Sequence, residues 1–197
     1  MDVSVIAAPE GGAEELVARV SQLDLSPAEC VRYLVEIGQE QPLEHAHLSV
    51  QVTGIARGAA WVVRTLDSAR GVNVSITEGV GTDIVVPQAL ADQEELAGIL
   101  RRAVDEAVFV YRDMQSALLE REDEPNLVER KRMAEQVARY VVPGAMSTNM
   151  VITANLRQWR ALLAECEQPQ VDEEVKALAE SVREALVPYA PTVFARM

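Results

Sequence analysis

The chain has 197 residues, 49% of them hydrophobic, enough to bury a substantial core in a single domain spanning residues 1–197 and too apolar to stay disordered. Its net charge of −13, from 18 basic and 31 acidic side chains, argues against a general nucleic-acid binder or an anionic-membrane binder, since both need a dense cationic face. Cys30 and Cys166 stand alone, with no CxxC and no Cys/His cluster, so neither a zinc site nor a disulfide framework is expected.

Val3 and Val5 alternate with polar neighbours as a short opening strand, followed by a turn at Pro9 to Gly12. The first residues carry no basic flank before their apolar stretch, so no signal peptide is expected. A helix follows from Ala13 to about Leu23. Ser26-Pro27 supplies an N-cap and first helical position for a second helix, through Cys30, Val31, Leu34 and Val35 to Gly38. Leu48, Val50 and Val52 alternate with Ser49, Gln51 and Thr53, the clearest strand in the chain. A helix is expected over Ile55 to about Asp67.

Val72, Val74 and Ile76 then alternate with Asn73, Ser75 and Thr77, and Asp83 to Val86 return towards Pro87. This reads as a hairpin turning through Glu78-Gly79-Val80-Gly81-Thr82. The strongest helix starts near Asp92, with Leu96, Leu100, Ala103, Val104, Ala107, Tyr111, Met114 and Leu118 at helical spacing. Another runs from about Leu127 to Val142 and stops at Pro143-Gly144. A strand at Met150 to Thr153 leads into a helix from Asn155 to Glu165, and a last long helix carries Val171, Val175, Leu178, Val182 and Leu186. The pattern is α+β, a largely antiparallel sheet with long packed helices. No apolar run approaches the roughly 20 residues needed to span a bilayer. Soluble, cytoplasmic placement follows.

Phosphate-binding GxxxxGK[ST] loops, GxGxxG after a strand and GxSxG elbows are all missing. Gly79-Val80-Gly81 sits where a hairpin must turn, and turn chemistry explains it. His45 and His47 lie two apart, on one strand face, a spacing that suits a metal pair in principle. No third ligand accompanies them, so no metal is expected. Between helix and strand, Gln39-Glu40-Gln41-Pro42-Leu43-Glu44-His45 combines a rigid proline turn with a glutamate and a histidine. It can present hydrogen-bond partners to a ligand, or serve only as a connection.

That segment resembles the flavin-dependent thymidylate synthases, in which a helix ends in a Gly-His-Glu-x-Pro-x-Glu-His type sequence and runs into a strand. Here Gly38-Gln39-Glu40-Gln41-Pro42-Leu43-Glu44-His45 precedes the strand. The family's Arg-His-Arg-x-x-Ser-x-Asn-x-x-Ser-x-Arg signature falls on Arg64-Thr65-Leu66-Asp67-Ser68-Ala69-Arg70-Gly71-Val72-Asn73-Val74-Ser75-Ile76, and its Ile-Pro on Val86-Pro87. Its arginine and Leu-Pro fall on Arg139 and Val142-Pro143, and its Thr-x-Asn-Ala-Arg-Ser-Leu on Thr153-Ala154-Asn155-Leu156-Arg157-Gln158-Trp159. The similarity covers roughly residues 28 to 194 in order. Six positions survive: Glu44, His45, Arg64, Arg139, Asn155 and Arg157.

By this resemblance Glu44, Arg64, Asn155 and Arg157 belong to a pocket for the FAD cofactor, and Arg139 to one for the nucleotide substrate. The resemblance assigns no catalytic residue. The departures are as informative. The family's flavin-holding histidine and arginine become Thr65 and Leu66, its nucleotide-holding serine and arginine become Val74 and Ile76, and a further nucleotide arginine falls at or near Cys166. Arg57 or Arg70 can replace a lost cation from another position.

Ordinary thymidylate synthase activity is therefore not expected. The resemblance implies a flavin-linked transferase or oxidoreductase with an altered, less anionic small-molecule substrate. The alternative is a non-catalytic member kept as a structural or partner subunit. It also implies a homo-oligomer, a homotetramer in the family, or pairing with a paralogous subunit. Local carboxylates for Arg64 and Arg157, and helix capping by Asn155, are the plain structural readings of the same residues.

Overall fold

The structure, a computed structural model, describes residues 1–69, 71–77, 83–121 and 125–195. The chain folds as two compact units: residues 1–55, 59–77 and 149–197 form the first, residues 56–58 and 78–148 the second.

The first unit is built on a four-stranded sheet of order β1-β2-β4-β3, from β1 (Asp2–Ala7), β2 (His47–Ala56), β3 (Asn73–Ile76) and β4 (Ser147–Asn155), of which Ala56, Ser147 and Thr148 belong to the second unit. All neighbours run antiparallel. In β2, Leu48, Val50 and Val52 are fully buried and alternate with the partly exposed Ser49, Gln51 and Thr53, as a half-buried strand requires. Ser49 and Thr153 join β2 to β4 through a 2.8 Å hydroxyl pair.

Around the sheet lie α1 (Ala13–Ser21), α2 (Pro27–Glu36), α3 (Arg57–Thr65), whose first two residues belong to the second unit, α6 (Leu156–Cys166), α7 (Glu173–Leu186) and the one-turn α8 (Pro191–Phe194). The expected start of α2 is observed in full. Ser26 accepts from the Glu29 amide, Glu29 returns to the Ser26 amide, and Pro27 occupies the first helical position. The Ser26 hydroxyl, then its backbone amide, hold the Glu29 carboxyl below the usual carboxylate range. Gly38, at φ 71°, ends the segment in a conformation that side chains resist.

The second unit packs α4 (Glu94–Leu119) against α5 (Leu127–Ala138), followed by a 3-10 turn at Arg139–Val141. The expected helix to Val142 stops at Ala138. Pro143 bars the α conformation at the residue before it, and the chain tightens first. Arg130 seals the end of α4 by donating to the Leu119 and Arg121 carbonyls.

One expectation fails. β3 does not form a hairpin with residues 83–86. It pairs with β4, Asn73 opposite Thr153 and Ile76 opposite Met150, while Ile84 makes a single bridge to Met146. The expected turn at residues 78–82 and Arg70 lie outside the described residues. No helix among the described residues is long and apolar enough to cross a membrane.

Candidate functional site

The Pro42 segment forms a 3-10 turn, Gln41–His45, with Leu43 buried as its anchor and Glu44 and His45 on its exposed side. It packs on α6. The start of α6 is fixed from both directions. Asn155 accepts from the Gln158 amide and Gln158 returns to the Asn155 amide, a reciprocal cap, while the Leu156 amide donates to the Ala46 carbonyl. Gln158 also donates through Nε2 to the Gly71 carbonyl, tying the segment after α3 to α6. Gly71 sits at φ 82°, which favours glycine.

Of the six residues singled out by the sequence, this arrangement joins Glu44, Asn155 and Arg157. Arg157 Nη1 donates to Glu44 Oε1 at 2.5 Å, both half-exposed. Asn155 is nearly buried and acts as the N-cap. Arg64 takes no carboxylate among the described residues. Its guanidinium lies 5.2 Å from the ring centre of Trp61, one helical turn back, and Trp61 is itself 46% exposed. His45 is exposed and offers its carbonyl to His47 Nδ1. Arg139 is exposed in the second unit, at the start of the 3-10 turn after α5.

Beside Arg157 opens a cleft of about 460 Å³ that contains residues not anticipated from the sequence. It is lined by Glu40, Arg157, Arg160, Ala161, Ala164, Arg183 and Val193. Arg157, Arg160, Ala161 and Ala164 share one face of α6 by their helical spacing, a pattern present in the sequence. Arg160 pairs with Glu40 at 2.5 Å, and Arg183 of α7 pairs with Glu167 at 2.7 Å.

Cys166 ends α6 and is 3% exposed. Burial first, then the neighbouring Glu165 and Glu167, push its thiol up from the ordinary 9.0 to about 12. The two carboxylates are engaged internally: Glu165 accepts from the Ser68 amide at 2.7 Å, and Glu167 holds Arg183. The Ser68 hydroxyl beside this contact is buried without a partner among the described residues.

Thiolate is the reactive form, so the raised thiol predicts labelling of Cys166 at pH 8 about 10³-fold slower than for a free thiol. A Cys30→Ala background isolates it. Prompt labelling of the folded protein would contradict the buried placement. The folded thiol stays neutral longer than the unfolded one, so its contribution is intact below about pH 9 and declines as pH rises towards 12.

The family model described as "Thymidylate synthase complementing protein" matches residues 6–192. A flavin-dependent thymidylate synthase of Corynebacterium efficiens is 33% identical over 168 residues, covering 83% of this chain and 67% of that one. The enzyme so named in Mycobacterium marinum is 34% identical over 169 residues, 84% of this chain and 67% of its own. Its counterpart in Mycobacterium tuberculosis H37Ra is 32% identical over 168 residues, 84% of this chain and 67% of its own. With the model matching nearly the whole chain, this protein belongs to the flavin-dependent thymidylate synthase family.

Proposed function

We propose that this chain binds FAD and acts as a flavin-linked transferase or oxidoreductase on a small molecule other than ordinary deoxyuridylate. The observation that carries the reading is a contrast within α6. At its start Arg157 stands half-exposed at the mouth of an open cleft, whereas at its end the position matched to a nucleotide-holding arginine is the buried, neutral Cys166. On this helix a cationic donor towards a cofactor persists where one towards a substrate anion does not.

The donor set fits a flavin dinucleotide. Among the described residues Arg157 keeps Nε and Nη2 without partners and Arg64 takes no carboxylate, its guanidinium lying over an exposed indole. Glu44 holds Arg157 upright, and the Asn155 cap fixes the first turn from which it projects. Bound flavin would supply hydride or electron transfer. The chain's own residues bind and orient it, and the apolar Leu66, Val74 and Ile76 favour a less anionic substrate beside it.

The purified protein is expected to carry flavin absorbance between 350 and 500 nm, or to gain it on titration with FAD. Binding should also quench the intrinsic tryptophan fluorescence of the chain. Arg157→Ala and Arg64→Ala should each weaken binding about tenfold or more without unfolding, as loss of a charge-assisted bond implies. Absence of a flavin band, with no binding on titration, would sink the proposal.

One observation favours a second reading, a non-catalytic subunit of a homo-oligomer or of a complex with a paralogue. Phe109, Val128 and Tyr140 of the second unit are 66%, 72% and 87% exposed, unusual for apolar and aromatic side chains. A tetramer in solution with no flavin would support it.

A further inference from the structure

The second unit carries a groove of about 230 Å³ between α4 and the bridge that joins Ile84 to Met146. Its floor is Ile84, Val104, Val108 and Met146, of which Val104 and Met146 are buried. Phe109 forms one wall and is 66% exposed, and Asp105 and Arg112 stand exposed at the rim. The volume falls short of the roughly 300–1,000 Å³ of sites that enclose a cofactor-sized molecule, and it suits a single aromatic side chain. A bare aromatic beside an apolar groove makes a knob and a hole on one surface. A copy of the same surface fills both at once.

The charges point to the same occupant. Asp105 and Arg112 are two helical turns apart, about 10 Å along α4, too far to pair with each other. Neither has a partner among the described residues. Val108 and Phe109 lie midway between them. A two-fold axis through that midpoint, with a second α4 running antiparallel, places Asp105 of each copy opposite Arg112 of the other. The same operation sets Phe109 opposite Val108, on the floor of the other copy's groove. It sets Arg102 opposite Gln115 and Arg101 opposite Ser116, and it brings no like charges together. By helical spacing Arg101, Arg102, Asp105 and Arg112 share this face with Phe109, three bases to one acid in a chain of net charge −13. Acidic copies repel one another over most of their surface, and they do so least here.

We infer that this chain pairs with a second copy of itself through the outer face of α4, Phe109 of each copy seated in the other's groove between two reciprocal Asp105–Arg112 ion pairs. An aromatic anchor in a pocket supplies affinity, and the charge pairs fix orientation and register. The antiparallel sense follows from the charges, because parallel helices in register would set Asp105 against Asp105 and Arg112 against Arg112. The contact needs no flavin. The cofactor donors Arg64 and Arg157 belong to the first unit and the groove to the second, so pairing holds for a flavin-loaded and a flavin-free chain alike.

The test is sedimentation velocity on the full chain, with circular dichroism to confirm that each variant is folded. Wild type is compared with Asp105→Arg, Arg112→Asp, the double reversal carrying both, and Phe109→Ala. Wild type is expected to sediment as a dimer or a higher even-numbered assembly at about 10 µM. Each single reversal sets like charges opposite each other and should weaken association about tenfold or more. The double reversal exchanges the ends of both pairs and should return association to within about threefold of wild type. Phe109→Ala should weaken it about tenfold or more without touching a charge. Rescue by the double reversal requires a contact between copies, since the two residues cannot meet within one chain. Should a single reversal misfold, the double reversal and Phe109→Ala still decide. A wild-type monomer at about 100 µM overturns the inference. So does an assembly that none of the variants weakens, or a double reversal as weak as the single ones. Rescue in a chain that takes up no flavin on titration keeps this pairing and removes the flavin reading. A flavin band on a chain that stays monomeric does the reverse.

Discussion

Supplied with deoxyuridylate, methylenetetrahydrofolate and reduced flavin, this protein is expected to form thymidylate at least about 10⁴-fold more slowly than the Corynebacterium efficiens relative assayed beside it. Removing one preorganised donor from a site that stabilises developing charge typically costs about 10²–10³ in rate. By resemblance, Thr65, Leu66, Val74, Ile76 and Cys166 each stand where a flavin- or nucleotide-holding group is expected. Such losses are not additive, so the lower bound is set by two of them rather than by their product. The local structure gives no compensation at Cys166. Its side chain is 3% exposed, Glu165 is committed to the Ser68 amide, and Glu167 to Arg183. A Cys166→Arg repair would place a guanidinium in a packed site, and loss of stability should precede any gain in turnover. Thymidylate formation within about a hundredfold of the relative, measured chromatographically, would show that arginines at other positions have taken over the lost roles.

The parts of this fold that were legible in the sequence are those decided by neighbours along the chain. The Ser26-Pro27 start and the alternation of β2 each follow from local geometry, as does the presence of the long helix α4, although of its expected apolar stripe only Val104 is buried while Leu96 and Ala103 are exposed. The partner of β3 does not follow in this way. Alternation at Val74 and Ile76 marks a strand, but the choice between residues 83–86 and β4 rests on which apolar edge needs cover. Met150, Ile152 and Ala154 of β4 are nearly or fully buried, and β3 lies against that strand. The site divides in the same way. Asn155 as a helix cap is readable from its position, whereas Glu44 and Arg157 are 113 residues apart and meet only once the 3-10 turn seats on α6. Arg160 and Arg183 gain their setting from α7 and α8 closing over one helix face. No spacing rule reaches across those elements.

Trp159→Ala is expected to cost about 3–5 kcal/mol, a large share of the roughly 5–15 kcal/mol by which a domain is stable. The indole is fully buried, and its Nε1 donates to the Leu48 carbonyl at 3.1 Å. It therefore fastens α6 to β2 by packing and by a hydrogen bond together. Trp159→Phe separates the two contributions. It keeps most of the apolar contact and removes the donor, so a loss of about 1–2 kcal/mol is expected. Urea unfolding followed by far-ultraviolet circular dichroism measures both, and the remaining Trp61 reports the local state of α3. A cost for Trp159→Ala below about 1 kcal/mol would contradict the packing described. The functional consequence follows from position. Trp159 lies between Arg157 and Arg160 in sequence and is buried against β2 while they line the cleft, so loosening this anchor is expected to disturb both guanidiniums. A phenylalanine variant that stays folded but binds FAD more weakly would show that the anchor positions the site, beyond holding the fold together.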